Sequence, residues 1–287
     1  MVSRFSPSFI QNADMRKRLQ IALAVLLVGV IGGIGWQSLR HREPVYQGKS
    51  LSTWLEGYTP DPKSYRPLVE QPQWQQANAA VRGLGTNAIP SLLRMLRARD
   101  NPWKLKLVRL ASNQRFIKIS YVSASELNVR AAMAFGSLPD HGSNSVPELI
   151  QIYKENRSEE SQSAVVLAFR SIGPAASQAV PVLLNAAGSS DLTIRHNALA
   201  ALGEIHAQPD LVVPLLTKAL RDQEPHIRSA AAMALRDFGA EAKPAVPALL
   251  ELLKDGDSYV STIAAESLEQ IDPEAAANAG VKKRPFE

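Results

Sequence analysis

Residues 227–238 read IRSAAAMALRDF, and residues 246–253 read VPALLELL. In the first stretch apolar residues recur every three or four positions, the period of an α-helix with one buried face. Its many alanines allow a neighbouring helix to approach closely. The second stretch opens with proline, whose missing N–H costs nothing at the start of a helix. Together the two stretches predict a pair of helices joined by a short turn.

This helix pair recurs along the chain. A Val-Pro pair precedes the second helix four times, at Pro147, Pro181, Pro214 and Pro247, with spacings of 34, 33 and 33 residues. Ile89-Pro90 is an earlier member of the series. Because one pair cannot bury its own apolar face, the pairs must stack on each other. We therefore expect an all-α fold, an α-solenoid.

The alignment predicts about five helix pairs and a terminal half-repeat. The expected units are 74–97, 126–157, 159–188, 191–221 and 224–254, followed by the half-repeat 258–271. The solenoid thus spans 74–271, and a basic insertion at 98–125 accounts for the wide gap between the first two units. Residues 272–287 are expected to form a flexible C-terminal tail.

The sequences IRHNALAALGEI and IRSAAAMALRDFG and the VPxLL pairs resemble HEAT repeats, in particular the short bacterial form related to the repeats of phycobilisome lyases. The resemblance covers about residues 74–271. It implies the fold, and it implies a bacterial, membrane-anchored protein, because such proteins often carry a stretch like YQGKSLSTWLEGY before their repeats. No active-site residue of a lyase is carried over to this chain.

A membrane anchor is predicted at Leu19–Trp36, after a basic tail at 1–18. Eighteen helical residues rise about 27 Å, close to the hydrocarbon thickness of about 30 Å. Four Lys and Arg residues precede the segment and three follow it. This bias favours a single-pass protein of the bacterial inner membrane, with the solenoid outside the cytoplasm.

Two further interpretations concern the same segment. Gly33 and Gly35 would suit the cleavage site of a signal peptide removed before Trp36, which is the alternative to an uncleaved anchor. Gly29 and Gly33 form a GxxxG pair, which would let two copies of the helix dimerise.

Residues 37–73 are expected to hold a short docking helix and a proline-rich linker. Leu51, Trp54, Leu55 and Tyr58 follow a helical spacing. A helix this short is not stable alone. We therefore expect it to dock on the open end of the solenoid as a cap.

The insertion is strongly basic and defines our candidate contact surface. Its members are Arg94, Arg97, Arg99, Trp103, Lys104, Lys106, Arg109, Arg115 and Lys118. Anionic lipid, an acidic partner protein and nucleic acid would each suit this charge. A solvated face of an enlarged repeat is the alternative. Nucleic acid is the least favoured partner. The net charge of +5 divides into +5 for 1–50, +7 for 51–125 and −7 for 126–287. Because the repeats themselves are acidic, the overall positive charge says little about nucleic-acid binding.

Acidic and basic residues four positions apart open several first helices. The pairs are Glu126/Arg130, Asp191/Arg195 and Glu224/Arg228, where Arg follows Val129, Ile194 or Ile227. Such pairs stabilise a helix start. They are interpreted either as stabilisation of helices and of repeat contacts, or as a polar ladder that faces a ligand.

The sequence contains no recognisable catalytic motif. It has no Cys, and none of its five His residues belongs to a metal-binding motif. We expect no catalytic residue, cofactor or metal, and a turn role for His206. The resulting prediction is a membrane-anchored, non-catalytic scaffold that binds a partner protein along the solenoid. The alternatives are an accessory factor to an enzyme or cofactor-attachment system, and anionic lipid binding through the insertion.

Overall fold

A computed structural model describes residues 43–59, 67–103, 105–106, 121–138 and 142–281. The chain divides into two compact units, Met1–Glu43 and Pro44–Glu287. Nearly all described residues belong to the second unit. The predicted anchor Leu19–Trp36, with Gly29 and Gly33, lies outside the described residues.

The second unit opens with a small hairpin and a short helix. Strand β1 (Val45–Tyr46) pairs antiparallel with β2 (Lys49–Ser50), and helix α1 (Leu51–Leu55) continues into a 3₁₀ turn at Glu56–Tyr58. The remaining described residues are almost entirely helical.

Stacked helix pairs form the body of this unit. The first helices of the pairs are α2 (Pro72–Leu84), α4 (Ala124–Phe135), α6 (Glu159–Ile172), α8 (Leu192–Ile205), α10 (Pro225–Phe238) and α12 (Ser258–Ile271). The second helices are α3 (Ile89–Leu96), α5 (Val146–Glu155), α7 (Val180–Ala186), α9 (Pro209–Ala219) and α11 (Val246–Leu252). The predicted α-solenoid is confirmed.

From α4 onwards, each first helix packs on the first helix of the next pair, and each second helix packs on the same neighbour. One apolar core runs through the whole stack. Its largest side chains include Phe135, Phe169 and Phe238, all fully buried, and Phe135 and Phe169 are equivalent in successive units. The periodic apolar positions of the sequence therefore become one continuous core.

Pro214 does not begin a helix, contrary to our expectation for the Val-Pro pairs. Helix α9 begins at Pro209 and has Pro214 in its interior. In this unit alone, a proline five residues earlier takes the N1 position. The 3₁₀ turns that precede α7 and α11, at Gly173–Ala179 and Gly239–Ala245, are replaced here by the start of the helix itself.

The segment 51–59 lies within the solenoid rather than on its open end, which corrects the expected cap. Both α1 and the 3₁₀ turn contact α2 and α4. Tyr58 donates a hydrogen bond of 2.7 Å to Asn78 Oδ1 in α2, and its hydroxyl lies 3.1 Å from Ser137 Oγ after α4. Arg130 in α4 donates to Thr59 Oγ1 at 2.8 Å. The segment thus joins the first two units.

Part of the expected C-terminal tail is helical. Helix α13 (Pro273–Asn278) follows α12 directly and packs against it, with Ala276 buried. Asp272 accepts a hydrogen bond from the backbone N–H of Ala275 at 3.0 Å, and Pro273 occupies N1. A capping residue followed by proline is a standard helix start, so these residues fold locally.

One described stretch, Glu159–Ala186, is long and apolar enough to cross a membrane by length and composition alone. It consists of α6, the 3₁₀ turn after it and α7. Its apolar side chains, such as Val165 and Leu183, are buried in the solenoid core. Core helices pass the same test, so this stretch is weak support for a membrane span.

Candidate interaction surface

A column of polar side chains runs along one edge of the solenoid, one from each of four successive first helices. We name Asn128, Gln162, Arg195 and Arg228 the edge ladder. Each stands seven residues before an equivalent core residue: Phe135, Phe169, Leu202 and Leu235. Each donates to backbone carbonyls at or just after the end of the preceding second helix. The carbonyls of Met95 and Tyr153 also accept a backbone N–H from the turn that follows, so there the ladder supplies a second donor.

The two arginines of the ladder also reach forward to the next turn. Arg228 donates to both carboxylate oxygens of Asp255, at 2.7 and 2.8 Å. Arg195 Nε lies 3.5 Å from Asp222, which stands 33 residues before Asp255. The Arg228 guanidinium holds the pKa of Asp255 below its usual value, and Asp255 in turn raises the pKa of Arg228.

These contacts correct two of the three predicted i,i+4 pairs. Arg228 binds Asp255 of the following turn and Arg195 lies within ion-pair distance of Asp222, rather than pairing with Glu224 and Asp191. Asp191 instead accepts a hydrogen bond from the backbone N–H of Ile194 at 2.7 Å and caps α8. The arginines therefore connect repeats, as the stabilising interpretation predicted.

Arg130, by contrast, is not a ladder member. It forms the predicted pair with Glu126, at 2.5 Å, and is buried under Thr59. The Val129-Arg130 pair resembles Ile194-Arg195 in residue type but not in its distance from the core residue of the helix. Counted from the core phenylalanine, Asn128 is the ladder position of this unit.

Arg97, a predicted member of the basic contact surface, is engaged with two acidic residues. Its Nη2 lies 2.5 Å from Glu148 and 3.1 Å from Glu155, both in α5. Glu155 also pairs with Arg157 at 2.6 Å. The Arg97 guanidinium lowers the pKa of Glu155, and Glu155 raises the pKa of Arg97. Arg97 therefore joins α3 to α5 across the insertion.

The other described members of the basic surface are exposed. Trp103 is 73% exposed, and Lys106 Nζ lies 5.1 Å from the centre of its ring. Arg94 and Arg99 are exposed as well, and Arg94 donates to Ser91 Oγ. Lys104, Arg109, Arg115 and Lys118 have side chains outside the described part. The structure thus brings Trp103 and Lys106 into direct contact at the surface.

Two open grooves flank helix α9. The first, of about 580 Å³, separates α9 from α7 and has an apolar floor with Leu184 and Leu215 and a rim with Lys218. The second, of about 640 Å³, lies between α9 and the 3₁₀ turn before α11, beside Pro214 and Pro244. Sequence reasoning missed both grooves. The early start of α9 at Pro209 was the only signal for the second.

His206 adopts the left-handed backbone conformation, with φ of 50°, at the end of α8. This confirms its predicted role as a turn residue. Its Nε2 lies 2.9 Å from a carboxylate oxygen of Glu241, and its ring contacts Phe238. Burial lowers the pKa of His196. Within the described ranges, no group of three His, Cys, Asp or Glu residues could hold a metal ion.

Comparison with known families agrees with this architecture. A family model described as HEAT repeats matches residues 146–236 and 180–269. No curated protein sequence matches the chain. The stacked helix pairs define an α-solenoid protein. Its repeats across 146–269 are similar to HEAT repeats.

Solved structures with similar folds include designed and natural solenoids. A designed armadillo repeat protein in complex with the peptide (KR)4 has 15% identity and a TM-score of 0.46, over 78% of this chain and 100% of that chain. The complex of CpcE and CpcF of phycocyanin lyase from Nostoc sp. PCC7120 has 19% identity and a TM-score of 0.42, over 83% and 84% of the respective chains.

Proposed function

We propose that the chain is a membrane-anchored, non-catalytic scaffold that binds a partner protein along the solenoid surface. The observation that carries this proposal is the pair of grooves on either side of α9. Solenoids of this kind use such extended surfaces for protein binding. On α9, Lys218 offers an exposed charge in the first groove, and Leu211 offers an exposed apolar side chain.

Partner binding can be tested by affinity purification of the full chain from membranes. A Leu215→Arg/Lys218→Glu double variant changes the floor and rim of the first groove. Lys243→Glu changes an exposed residue that lines neither groove and serves as the matched control. We expect saturable binding of a partner protein by the native chain and by the control, but not by the double variant. Equal recovery in all three would reject the groove as the binding surface.

The proposed location is the bacterial inner membrane, with Leu19–Trp36 as an uncleaved anchor and the solenoid outside the cytoplasm. Support comes from the length of this apolar segment and the distribution of Lys and Arg around it. Protease added to spheroplasts should then digest the solenoid without lysis. Digestion only after lysis would place the solenoid in the cytoplasm. Gly29 and Gly33 are proposed to pack two anchors together.

A second candidate function is contact with anionic lipid through the insertion. It is favoured by Trp103, whose exposed ring lies beside Lys106, and by Leu105, whose apolar side chain is also exposed. Tryptophan beside cationic residues suits the membrane interface. Because the chain has no Cys, a thiol-reactive fluorophore added to an Asn101→Cys variant labels position 101 alone.

The lipid experiment uses the full chain reconstituted in vesicles. We expect a blue shift of the fluorophore at position 101 with phosphatidylglycerol but not with phosphatidylcholine alone, and its loss in Trp103→Ala/Lys106→Glu. A fluorophore at exposed Ala277 should not respond and provides the control. An equal blue shift with both lipids, or no blue shift with either, would exclude contact of the insertion with anionic lipid.

A further inference from the structure

A polar cavity of about 270 Å³ lies beside Asn128, where the first three units of the solenoid meet. Asp100 lines it from the turn after α3, and Glu160 lines it from the start of α6. Arg99 and Arg157 contribute to the rim and are exposed, like Glu160. The cavity therefore opens to solvent between exposed side chains.

The side chain of Asn128 is completely buried at this cavity. Its Nδ2 donates to the carbonyls of Met95 at 2.5 Å and Ala98 at 3.4 Å, which fixes the orientation of the amide. Its Oδ1 accepts no hydrogen bond from any residue in the described part of the chain. Buried acceptors nearly always have a donor, so a donor from outside the chain would complete this site.

The same ladder position shows which donor fits. In later units it carries Arg195 and Arg228, whose guanidinium groups lie between the carbonyls of one turn and the aspartate of the next. Asparagine is too short to fill that space. In this unit Asn128 itself donates to the two carbonyls, and Glu155, which corresponds to Asp222, is paired with Arg97 and Arg157. The acceptors that line the cavity are instead the carboxylates of Asp100 and Glu160, and Asp100 also accepts from Tyr121 and from the backbone N–H of Ala124.

We propose that this cavity binds the guanidinium group of an arginine side chain on the partner protein. The inference rests on the proposed scaffold function and names the chemistry of its partner. Asn128 Oδ1 would accept one N–H, and the carboxylates of Asp100 and Glu160 would accept others. Charge-assisted hydrogen bonds of this kind are stronger than neutral ones. Arg157 is already paired with Glu155, and exposed Arg99 is screened by water.

The test uses purified full-length chain in nanodiscs and a pentapeptide with one arginine between glycines. Matched peptides replace the arginine with citrulline, its neutral analogue, or with lysine. By isothermal titration calorimetry we expect saturable binding of the arginine peptide and at least about tenfold weaker binding of the citrulline peptide, because the charged hydrogen bonds are lost. Equal binding of arginine and citrulline peptides would overturn the proposal.

Variants at and near the ladder position make the test specific. Asn128→Arg should abolish peptide binding, because its own guanidinium would pair with Asp100 and Glu160 in place of the peptide's. Glu160→Gln keeps the shape, removes one negative charge and should bind the arginine peptide more weakly than the native chain. Gln162→Arg, the arginine substitution one unit later, should leave binding unchanged. Native-like binding by Asn128→Arg would contradict a guanidinium site.

The two proposals fail in different ways. If the α9 groove still captures a partner but no variant binds the arginine peptide, the guanidinium site is wrong and the scaffold function stands. If arginine binds at Asn128 but the groove variant retains the partner, the groove is wrong and the guanidinium site stands.

Discussion

Arg228 in α10 donates two hydrogen bonds to the carboxylate of Asp255, from Nε at 2.7 Å and from Nη2 at 2.8 Å. The same guanidinium donates to the backbone carbonyls of Asp222 and Gln223. One side chain therefore joins the turns that follow α9 and α11. Stability of the repeat array depends on such links because neighbouring units share no covalent contact beyond the chain itself.

The first prediction concerns the free energy contributed by this link. Arg228→Ala should lower the free energy of unfolding by about 2 kcal/mol, because it leaves Asp255 and two carbonyls without their donor. Urea unfolding followed by circular dichroism measures the change. Arg221→Ala is the control, since Arg221 and Glu251 are both about two-thirds exposed and should contribute less than about 0.5 kcal/mol. Equal losses would show that burial of the pair is unimportant.

The second prediction is a pH dependence. Because Arg228 lowers the pKa of folded Asp255, the unfolded chain binds this proton more tightly. The stabilisation is fully present above the unfolded pKa of about 4 and is lost as the pH falls through the folded pKa. In Asp255→Asn, the free energy of unfolding should fall less steeply with decreasing pH over this range. Parallel profiles of native and variant chains would contradict the coupling.

The third prediction concerns close helix packing. A Cβ added to Gly203 in α8 would lie 2.7 Å from Ala234 Cα and 3.0 Å from Asp237 Oδ2 in α10. Gly203→Ala should therefore destabilise the fold by about 1–3 kcal/mol through overpacking, although alanine favours a helix. At Gly256 an added Cβ meets open space, so Gly256→Ala should be nearly neutral. Thermal unfolding compares the two, and a stabilised Gly203→Ala would refute the close approach.

The fourth prediction concerns the segment that joins the first two units. Burial raises the pKa of Tyr58 to about 12, although a hydrogen bond with Ser137 opposes the shift. Tyr58→Phe should cost about 1–2 kcal/mol, because Asn78 and Ser137 lose a shared partner. In an absorbance titration, this variant should lack one of the tyrosines that ionise at about pH 12, a group that also includes Tyr121. Tyr259→Phe, at an exposed site, should change neither quantity.

The sequence predicted the helix pairs because their apolar residues recur with the helical period and their prolines recur every 33 or 34 residues. It failed at Pro214, because an earlier proline, Pro209, took the first helical position. It also misplaced residues 51–59. Their apolar spacing required burial but could not distinguish the end of the stack from the space between α2 and α4.

Partners across repeats were not predictable in the same way. Local spacing suggested Asp191 for Arg195, whereas the folded chain brings Asp222 to it from the next turn. The role of Asn128 was not apparent from the sequence. Val129-Arg130 resembles Ile194-Arg195 in residue type, but it stands at a different distance from the core residue of its helix. An alignment anchored on Phe135 and Leu202 would have revealed it.

Photo-crosslinking in living cells tests the scaffold proposal most directly. A benzophenone amino acid would replace Lys218 at the rim of the first groove, or Ala277 on α13 as the control. The scaffold proposal predicts one discrete, saturable protein adduct from position 218 and none from position 277. The absence of an adduct at position 218, or the same adduct from both positions, would contradict partner binding beside α9.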